Sequence, residues 1–180
     1  MGDIYNLRSN SWRELDVDMP FSEDCTEGTQ VYVDGVCHWL CEKHEDNPIG
    51  PCLVCFYLSN EMSFTTPIPV KAKWINLAVL NESITLISYH EETTTFRVSI
   101  LGQLGFKESW IKLFMVGPLP CVERLTGAGT KGEIFFLRKD KEVSWFDLST
   151  QIIVELGYKA ENLSGRIINY NKESILPFEE

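Results

Sequence analysis

Hydrophobic and polar side chains alternate along much of this chain with a period of two residues, as they do in a half-buried β-strand. Residues 83–89 and 95–101 are two such runs, and the polar residues 90–94 separate them. β-Branched and aromatic residues dominate the runs, as the pleated surface of a sheet favours. No stretch keeps helical periodicity over three turns, and the one short helix candidate covers residues 159–163. The pattern predicts an all-β protein.

Two further pairs of runs predict β-hairpins. Asp34-Gly35 separates the apolar residues 31–33 and 36–40, and this dipeptide between two apolar runs favours a tight hairpin turn. The charged residues 139–142 separate the runs 133–138 and 143–148 in the same way. Residues 53–58 form one continuous apolar run, which predicts a further short strand.

A short motif recurs along the chain with a spacing typical of a repeat protein. Asn10, Asn60, Glu108 and Thr150 occupy its equivalent positions, at successive offsets of 50, 48 and 42 residues. A second short strand and a turn follow each motif, and each interval contains a hairpin, within residues 31–58, 77–101 and 129–148. A unit of roughly fifty residues with about four short strands has the size of a kelch-type β-propeller blade. Such blades bury their faces by stacking side by side.

The number of these units predicts only part of a propeller. The 180 residues hold fewer than four units, and propellers typically have about four to eight blades. The chain also starts with an outer-strand motif at residues 4–15, without a hairpin before it. We therefore expect a partial kelch-like β-propeller of about three to four blades of short antiparallel strands. It would be a single region over residues 1–180, truncated at its N-terminal side, with exposed strand edges that need cover.

The charge and the apolar content exclude several classes of partner. The chain has 26 acidic and 16 basic residues and a formal net charge of −10, with most of the negative charge in the first third. Such a chain lacks the basic surface that nucleic acids or anionic membranes attract. We expect neither partner.

The polar beginning of the chain does not resemble a signal peptide, and its longest apolar stretch is far below the ~20 residues that span a bilayer. An intracellular protein of the cytoplasm, the nucleus or both is expected, with its six cysteines as reduced thiols.

An ordered series of segments resembles the plant F-box associated domain, the kelch-like region behind the F-box in plant ubiquitin-ligase receptors. The segments are IYNLRSNSWR (4–13), VDGVCHWL (33–40), FYLSNE (56–61), PIP (67–69), ESWIKLF (108–114), WFDLS (145–149) and YNKESIL (170–176). The resemblance implies a non-enzymatic module that recognises a target protein for a cullin-based (Skp-cullin-F-box) ubiquitin ligase, in ubiquitin-dependent degradation. Neither an F-box nor the first half of the family pattern is evident, so the resemblance covers the C-terminal part of such a domain. A Skp-type adaptor would then bind only a longer form with an F-box.

Potential zinc ligands are concentrated in one part of the chain, where they comprise Cys37, Cys41, His44, Cys52 and Cys55. Thiolate and imidazole are the ligands that zinc prefers. However, residues three apart on a strand point to opposite faces, so Cys52 and Cys55 cannot reach one ion without a turn between them. We expect these cysteines to be small buried hydrophobic residues, and we expect no metal site.

No other motif supports a cofactor or a catalytic centre. Residues 127–132 fit G-x-G-x-x-G, but a strand follows where a dinucleotide site needs a helix, so a loop between blades is expected. The chain contains neither a G-x-S-x-G nor an H-E-x-x-H motif. Glu91 and Glu92 are expected in a solvated turn, and His38 is expected to form a hydrogen bond within its blade. We expect no catalytic residue and no cofactor.

Aromatic residues and loops complete the list of candidate binding features. Trp12 and Trp110 occupy equivalent positions two units apart, which favours packing between blades over a stacking platform for a ligand. Rim loops carry binding in propellers because the blades hold them rigid. Our candidate residues for binding a target protein are therefore Glu42, Lys43, His44, Glu45, Asp46, His90, Glu91 and Glu92. Two alternatives remain: a propeller that binds or acts on carbohydrate, with carboxylates and aromatics converging on one rim, and a non-functional or decoy fragment that lacks the F-box.

Overall fold

The computed structural model describes residues 2–15, 25–41, 51–106, 109–129 and 131–160. This part of the chain forms fourteen β-strands and contains no α-helix. The strands are β1 (Gly2–Asn6), β2 (Ser11–Leu15), β3 (Cys25–Val33), β4 (Val36–Cys41), β5 (Cys52–Tyr57), β6 (Met62–Pro67), β7 (Trp74–Leu80), β8 (Ser83–His90), β9 (Thr95–Leu101), β10 (Trp110–Val116), β11 (Val122–Ala128), β12 (Glu133–Arg138), β13 (Glu142–Asp147) and β14 (Ile153–Lys159).

Strands that are consecutive in the sequence pair antiparallel and form four sheets. β1 and β2 form a two-stranded hairpin, and three four-stranded sheets follow: sheet I (β3–β6), sheet II (β7–β10) and sheet III (β11–β14). The predicted all-β class and the partial β-propeller of three to four blades are confirmed. The chain divides into two compact units, Met1–Pro120 with the hairpin and sheets I and II, and Cys121–Glu180 with sheet III.

The predicted turns form because their residues tolerate a left-handed backbone. Asp34 and Gly35 have φ values of +50° and +80°, as the type I′ turn of a two-residue hairpin requires. A second turn recurs where the third strand of a unit meets its fourth. There the Oδ1 atom of Asn6 accepts hydrogen bonds from the backbone N–H groups two and three residues further on, at 2.9 and 3.3 Å. The Oδ1 atom of Asp147 accepts the same two hydrogen bonds in its own turn, at 2.7 and 3.1 Å. In the described residues φ is positive at Asn10 and at Glu61 and Gln151, each one residue after the aligned Asn60 and Thr150, so the same backbone turn recurs close to the predicted positions. Glu108 lies outside the described residues.

Two sequence expectations are wrong in detail. The short helix candidate over residues 159–163 begins at Lys159, which instead ends strand β14, while residues 161–163 lie outside the described residues. The glycine-rich residues 127–132 were expected to connect two blades. They connect β11 to β12 within sheet III, and Gly132 has a φ of +94° next to the start of β12. Sequence spacing alone did not reveal which strands share a sheet.

The core of the first unit lies between sheets I and II. Leu40 and Leu53 of sheet I are fully buried, and they belong to one apolar cluster with Leu77 and Leu86 of sheet II. The other face of sheet I is covered as well, since Phe56 packs with Leu15 of the hairpin. The predicted strand 53–58 corresponds to β5, which is buried on both faces.

Sheet III forms the second unit around its own buried residues. Ile134 and Phe136 on β12 are fully buried, and Leu137, Val143 and Ala160 form a smaller apolar cluster. The predicted strands 133–138 and 143–148 correspond to β12 and, with a shift of one residue, β13. The antiparallel pairing of β12 with β13 fixes the position of the turn that joins them.

Candidate partner-binding surface

The turn between β8 and β9 contains three of the residues predicted to bind a target. His90 is the last residue of β8, and Glu91 and Glu92 are exposed in the turn that follows. Thr94 closes this turn with a φ of +50°, and its N–H donates a hydrogen bond of 3.2 Å to the carbonyl oxygen of Glu91. The turn is therefore defined by its own backbone and presents two carboxylates to solvent.

Neighbouring segments hold this turn from two sides. The Nζ atom of Lys73, just before β7, lies 2.5 Å from a carboxylate oxygen of Glu91. On the other side, the N–H of Leu119 donates a hydrogen bond of 2.7 Å to the carbonyl oxygen of Thr94. Gly117 lies so close that a Cβ added to it would be 2.9 Å from the same oxygen. The start of β7, the end of β10 and the turn thus form one end of sheet II.

The exposed turn at this end of sheet II is acidic, while the cations Lys73 and Arg97 lie beside it. Burial lowers the pKa of His90, nearby Arg97 lowers it further, and Glu92 opposes them in part. The imidazole is accordingly neutral at pH 7. Lys73 compensates the charge of Glu91, whereas Glu92 has no ion-pair partner among the described residues. An exposed acidic turn of this kind attracts a basic segment.

The other five predicted residues, Glu42, Lys43, His44, Glu45 and Asp46, lie outside the described residues. Their connection nevertheless has a defined place in the topology, because it joins β4 to β5, the second and third strands of sheet I. The β8–β9 turn joins the second and third strands of sheet II. The two candidate loops therefore have equivalent positions in the repeat, which the sequence pattern did not show. Their role in binding stays a prediction.

One buried pair resembles a nucleophile with its base. His38 on β4 lies opposite Cys55 on β5, and its Nδ1 atom is 3.1 Å from the Cys55 Sγ. The expected hydrogen bond of His38 within its blade is therefore present. Burial lowers the pKa of His38 to about 4 and raises the pKa of Cys55, also influenced by Cys52, to about 12. Both groups are neutral at pH 7, whereas a catalytic pair of this type needs a thiolate.

The cysteines considered as zinc ligands are divided between two faces of sheet I. Cys41 and Cys52 lie opposite each other and pack with Val54, while Cys55 belongs to the cluster on the other face. Cys37 shares the face of Cys41, but it lies four residues along the same strand, about 13 Å away. In the described part of the chain, no three metal-ligating side chains come together to hold an ion. His44 lies outside the described residues.

The two equivalent tryptophans have different environments. The Trp110 Nε1–H donates a hydrogen bond of 3.1 Å to the carbonyl oxygen of Pro67, so this ring packs between sheets II and I, as expected. Trp12 is instead 71% exposed and contacts Tyr5, with 5.0 Å between the ring centroids. Within the described residues, Trp12 does not show the packing between blades that was expected of it.

An apolar outer strand is the surface feature that the sequence analysis missed. Strand β10 lies at the edge of sheet II and is exposed over most of its length. Four of its large apolar side chains, those of Ile111, Leu113, Phe114 and Met115, are between 43% and 58% exposed. The run of apolar letters in β10 is also typical of a buried strand, so its position at an edge could come only from the topology.

Comparisons with known proteins agree with this architecture. The family model described as the F-box associated beta propeller domain matches residues 2–169, a range that contains every described strand, and no F-box is found in the chain. A search of curated proteins found no match. None of the described residues forms a helix long and apolar enough to cross a membrane.

Proposed function

The chain belongs to the F-box associated β-propeller family, and we propose that it recognises target proteins for a ubiquitin ligase of the Skp-cullin-F-box type. The family match over residues 2–169 carries this proposal. In it, the kelch-like propeller of a plant F-box protein binds its target without catalysis or a cofactor, in the cytoplasm or nucleus. A Skp-type adaptor is recruited only by an F-box in a longer form of the protein.

We place the target-binding surface at the connections between the second and third strands of the sheets. In sheet II this is the turn with His90, Glu91 and Glu92, and in sheet I it is the connection with residues 42–46. Support comes from the turn's fixed geometry, since backbone hydrogen bonds and Lys73 hold it in place. A preorganised turn loses little conformational entropy when it binds. Its exposed carboxylates favour a target with a basic segment.

A pair of charge reversals at opposite ends of sheet II tests the surface. Glu92→Lys changes the proposed site, whereas Glu82→Lys changes an exposed turn residue between β7 and β8, at the other end. Both positions are exposed glutamates, so the two variants have the same net charge and comparable folding. Each chain would be expressed in plant cells behind an added F-box, and the captured proteins would be quantified with and without a proteasome inhibitor.

We expect proteins that bind the parent chain and Glu82→Lys but are at least tenfold depleted with Glu92→Lys. Their abundance should fall when the F-box fusion is expressed and recover with the inhibitor. If binding is the same for all three chains, the position of the surface is wrong. If bound proteins show no proteasome-dependent loss, the role in degradation is wrong.

One observation favours carbohydrate binding as a second candidate function. The exposed face of the β1–β2 hairpin brings together Asp3, Tyr5, Trp12 and Glu14, which form two directly opposed pairs. Aromatic rings beside carboxylates are common where proteins bind sugars, although this is a sheet face and not a rim. Titration of plant oligosaccharides, followed by tryptophan fluorescence, should then show saturable binding that Trp12→Ala abolishes. Unchanged fluorescence across the series would eliminate this function.

A further inference from the structure

Two cysteines oppose each other across the middle strands of sheet I. Cys41, the last residue of β4, pairs in register with Cys52, the first residue of β5. Opposed residues in antiparallel strands have Cα atoms about 4.5–5.5 Å apart, within the roughly 4.4–6.8 Å that a disulfide spans. Their side chains share one face and one small apolar cluster, both residues are only 3% exposed, and their sulfurs are not joined by a disulfide.

The surroundings of the pair distinguish Cys52 from the other described thiols. A hydrogen bond with Cys41 lowers the pKa of Cys52 and outweighs the opposing effect of burial. In contrast, burial raises the pKa of Cys37, and it raises that of Cys55 to about 12. A thiolate is the reactive form of cysteine, so Cys52 is a better nucleophile than Cys37 or Cys55, and it has the Cys41 thiol beside it.

We propose that Cys41 and Cys52 form a redox-active dithiol, which a hydroperoxide converts reversibly into a cross-strand disulfide. The Cys52 thiolate attacks the outer peroxide oxygen, the O–O bond breaks, and the peroxide leaves as an alcohol or water after it takes up a proton. The resulting sulfenic acid is attacked by the Cys41 sulfur, which forms the S–S bond and releases water. The two thiols lose two electrons and the peroxide gains them. A small thiol reverses the reaction by exchange.

Register and burial narrow the choice of partner, but they leave one competing cysteine. Cys55 points to the opposite face of sheet I and is fully buried there, so its sulfur cannot reach Cys52. Cys121 belongs to the second unit. Cys25 occupies the register position opposite Cys41 on β3, which makes it the competing partner that an experiment must distinguish.

Peptide mapping of the full chain tests the proposal. The reduced protein would be treated with hydrogen peroxide, alkylated in denaturant and cleaved with chymotrypsin. Cleavage after Trp39 separates Cys37 from Cys41, and cleavage after Leu53 separates Cys52 from Cys55. Residues 42–51 contain no aromatic residue, leucine or methionine, so Cys41 and Cys52 remain in one peptide. We expect this peptide with an internal disulfide as the main oxidised product, and the loss of that disulfide when dithiothreitol is added before alkylation. Cys55→Ala should leave its yield unchanged, whereas Cys41→Ser should reduce it at least tenfold.

Three results would overturn the proposal. The first is a main linkage that contains Cys25 or Cys55, and the second is Cys52 oxidised to sulfinic acid while Cys41 remains alkylatable. The third is a parent chain whose thiols all remain alkylatable after peroxide treatment that oxidises glutathione completely. Because the linkage is mapped in the parent chain, the outcome is decisive even if Cys41→Ser does not fold.

Discussion

Acidification should destabilise the first unit through the buried His38. Its side chain is only 4% exposed, and burial lowers its pKa from the ordinary value of 6.5 to about 4. In the unfolded chain the same imidazole takes up a proton near pH 6.5. Below that pH the unfolded state binds more protons than the folded state, so the free energy of unfolding falls as the pH falls.

The size of the effect follows from the two pKa values. A difference of about 2.5 pKa units corresponds to about 3 kcal/mol when the shift is fully expressed, below the folded pKa. Between pH 7 and pH 5 the expected loss is about 2 kcal/mol. Glu61 and Asp147, whose pKa values hydrogen bonds lower, contribute only below about pH 4.5, so they do not confound this interval.

Urea unfolding at pH 7 and at pH 5 measures this loss. Because the chain has two units, hydrogen exchange of peptides from β4 and β5 would report on the unfolding of the first unit separately. In His38→Leu the titrating group is replaced by an apolar side chain of similar size, and the loss between the two pH values should shrink by about 2 kcal/mol. The control is His90→Asn, since His90 is partly exposed and its pKa is also lowered.

An identical pH dependence in the parent chain and His38→Leu would refute this reasoning. It would mean that His38 is protonated in the folded state, with a pKa near its ordinary value, so that burial on this face of sheet I is incomplete. If His90→Asn alone removed the pH dependence, the sensitive group would be in the β8–β9 turn and not in the core.

Two further predictions concern the core and the candidate surface. Leu53→Ala removes a fully buried side chain between sheets I and II, so it should lower the free energy of unfolding by about 3 kcal/mol. Leu58→Ala is the control at a 46% exposed position, and it should change this free energy by less than about 1 kcal/mol. Urea unfolding measures both values. Gly117→Ala would place a methyl group 2.9 Å from the carbonyl oxygen of Thr94, so hydrogen exchange in that turn should accelerate at least tenfold. The control is Gly35→Ala, which introduces the same kind of strain at a positive φ in a different turn, but whose added Cβ meets nothing within 4 Å. It should leave exchange in the β8–β9 turn unchanged.

Each of these predictions has a clear contrary result. Equal losses for the two leucine variants would mean that the interior between sheets I and II is not closely packed at Leu53. Unchanged exchange in Gly117→Ala would mean that the β8–β9 turn does not depend on the segment after β10 for its position. The surface proposed for target binding would then lack its second support.

Local sequence patterns predicted the strands well, because they follow from short-range chemistry. Asp34-Gly35 predicts its hairpin since both residues adopt positive φ at low cost, and the alternation over residues 83–101 predicts β8 and β9. The motif around Asn10 identified the repeat, since its occurrences at Asn10 and Thr150 form the same turn. The glycine-rich residues 127–132 were less informative, because glycines occur both in hairpins and in connections between sheets.

The candidate site was predicted only in part. Sequence could select the β8–β9 turn, because polar residues interrupt an alternating pattern there. It could not show that Lys73 and Leu119 hold the turn, since they are distant in the sequence and reach it only through sheet II. The opposition of Cys41 to Cys52 likewise depends on the register of β4 with β5, which nearby residues do not encode.

The sequence by itself determined the all-β class, the period of the repeat and the acidic character of the chain, because these depend on side chains within a few residues of one another. Only the tertiary structure decided which apolar residues are buried. Trp110 packs against sheet I, whereas its equivalent Trp12 is exposed. The apolar β10 lies at an edge, and the equally apolar β5 lies between two covered faces. Burial is a property of what packs against a residue, and the strands that do so come from other parts of the chain.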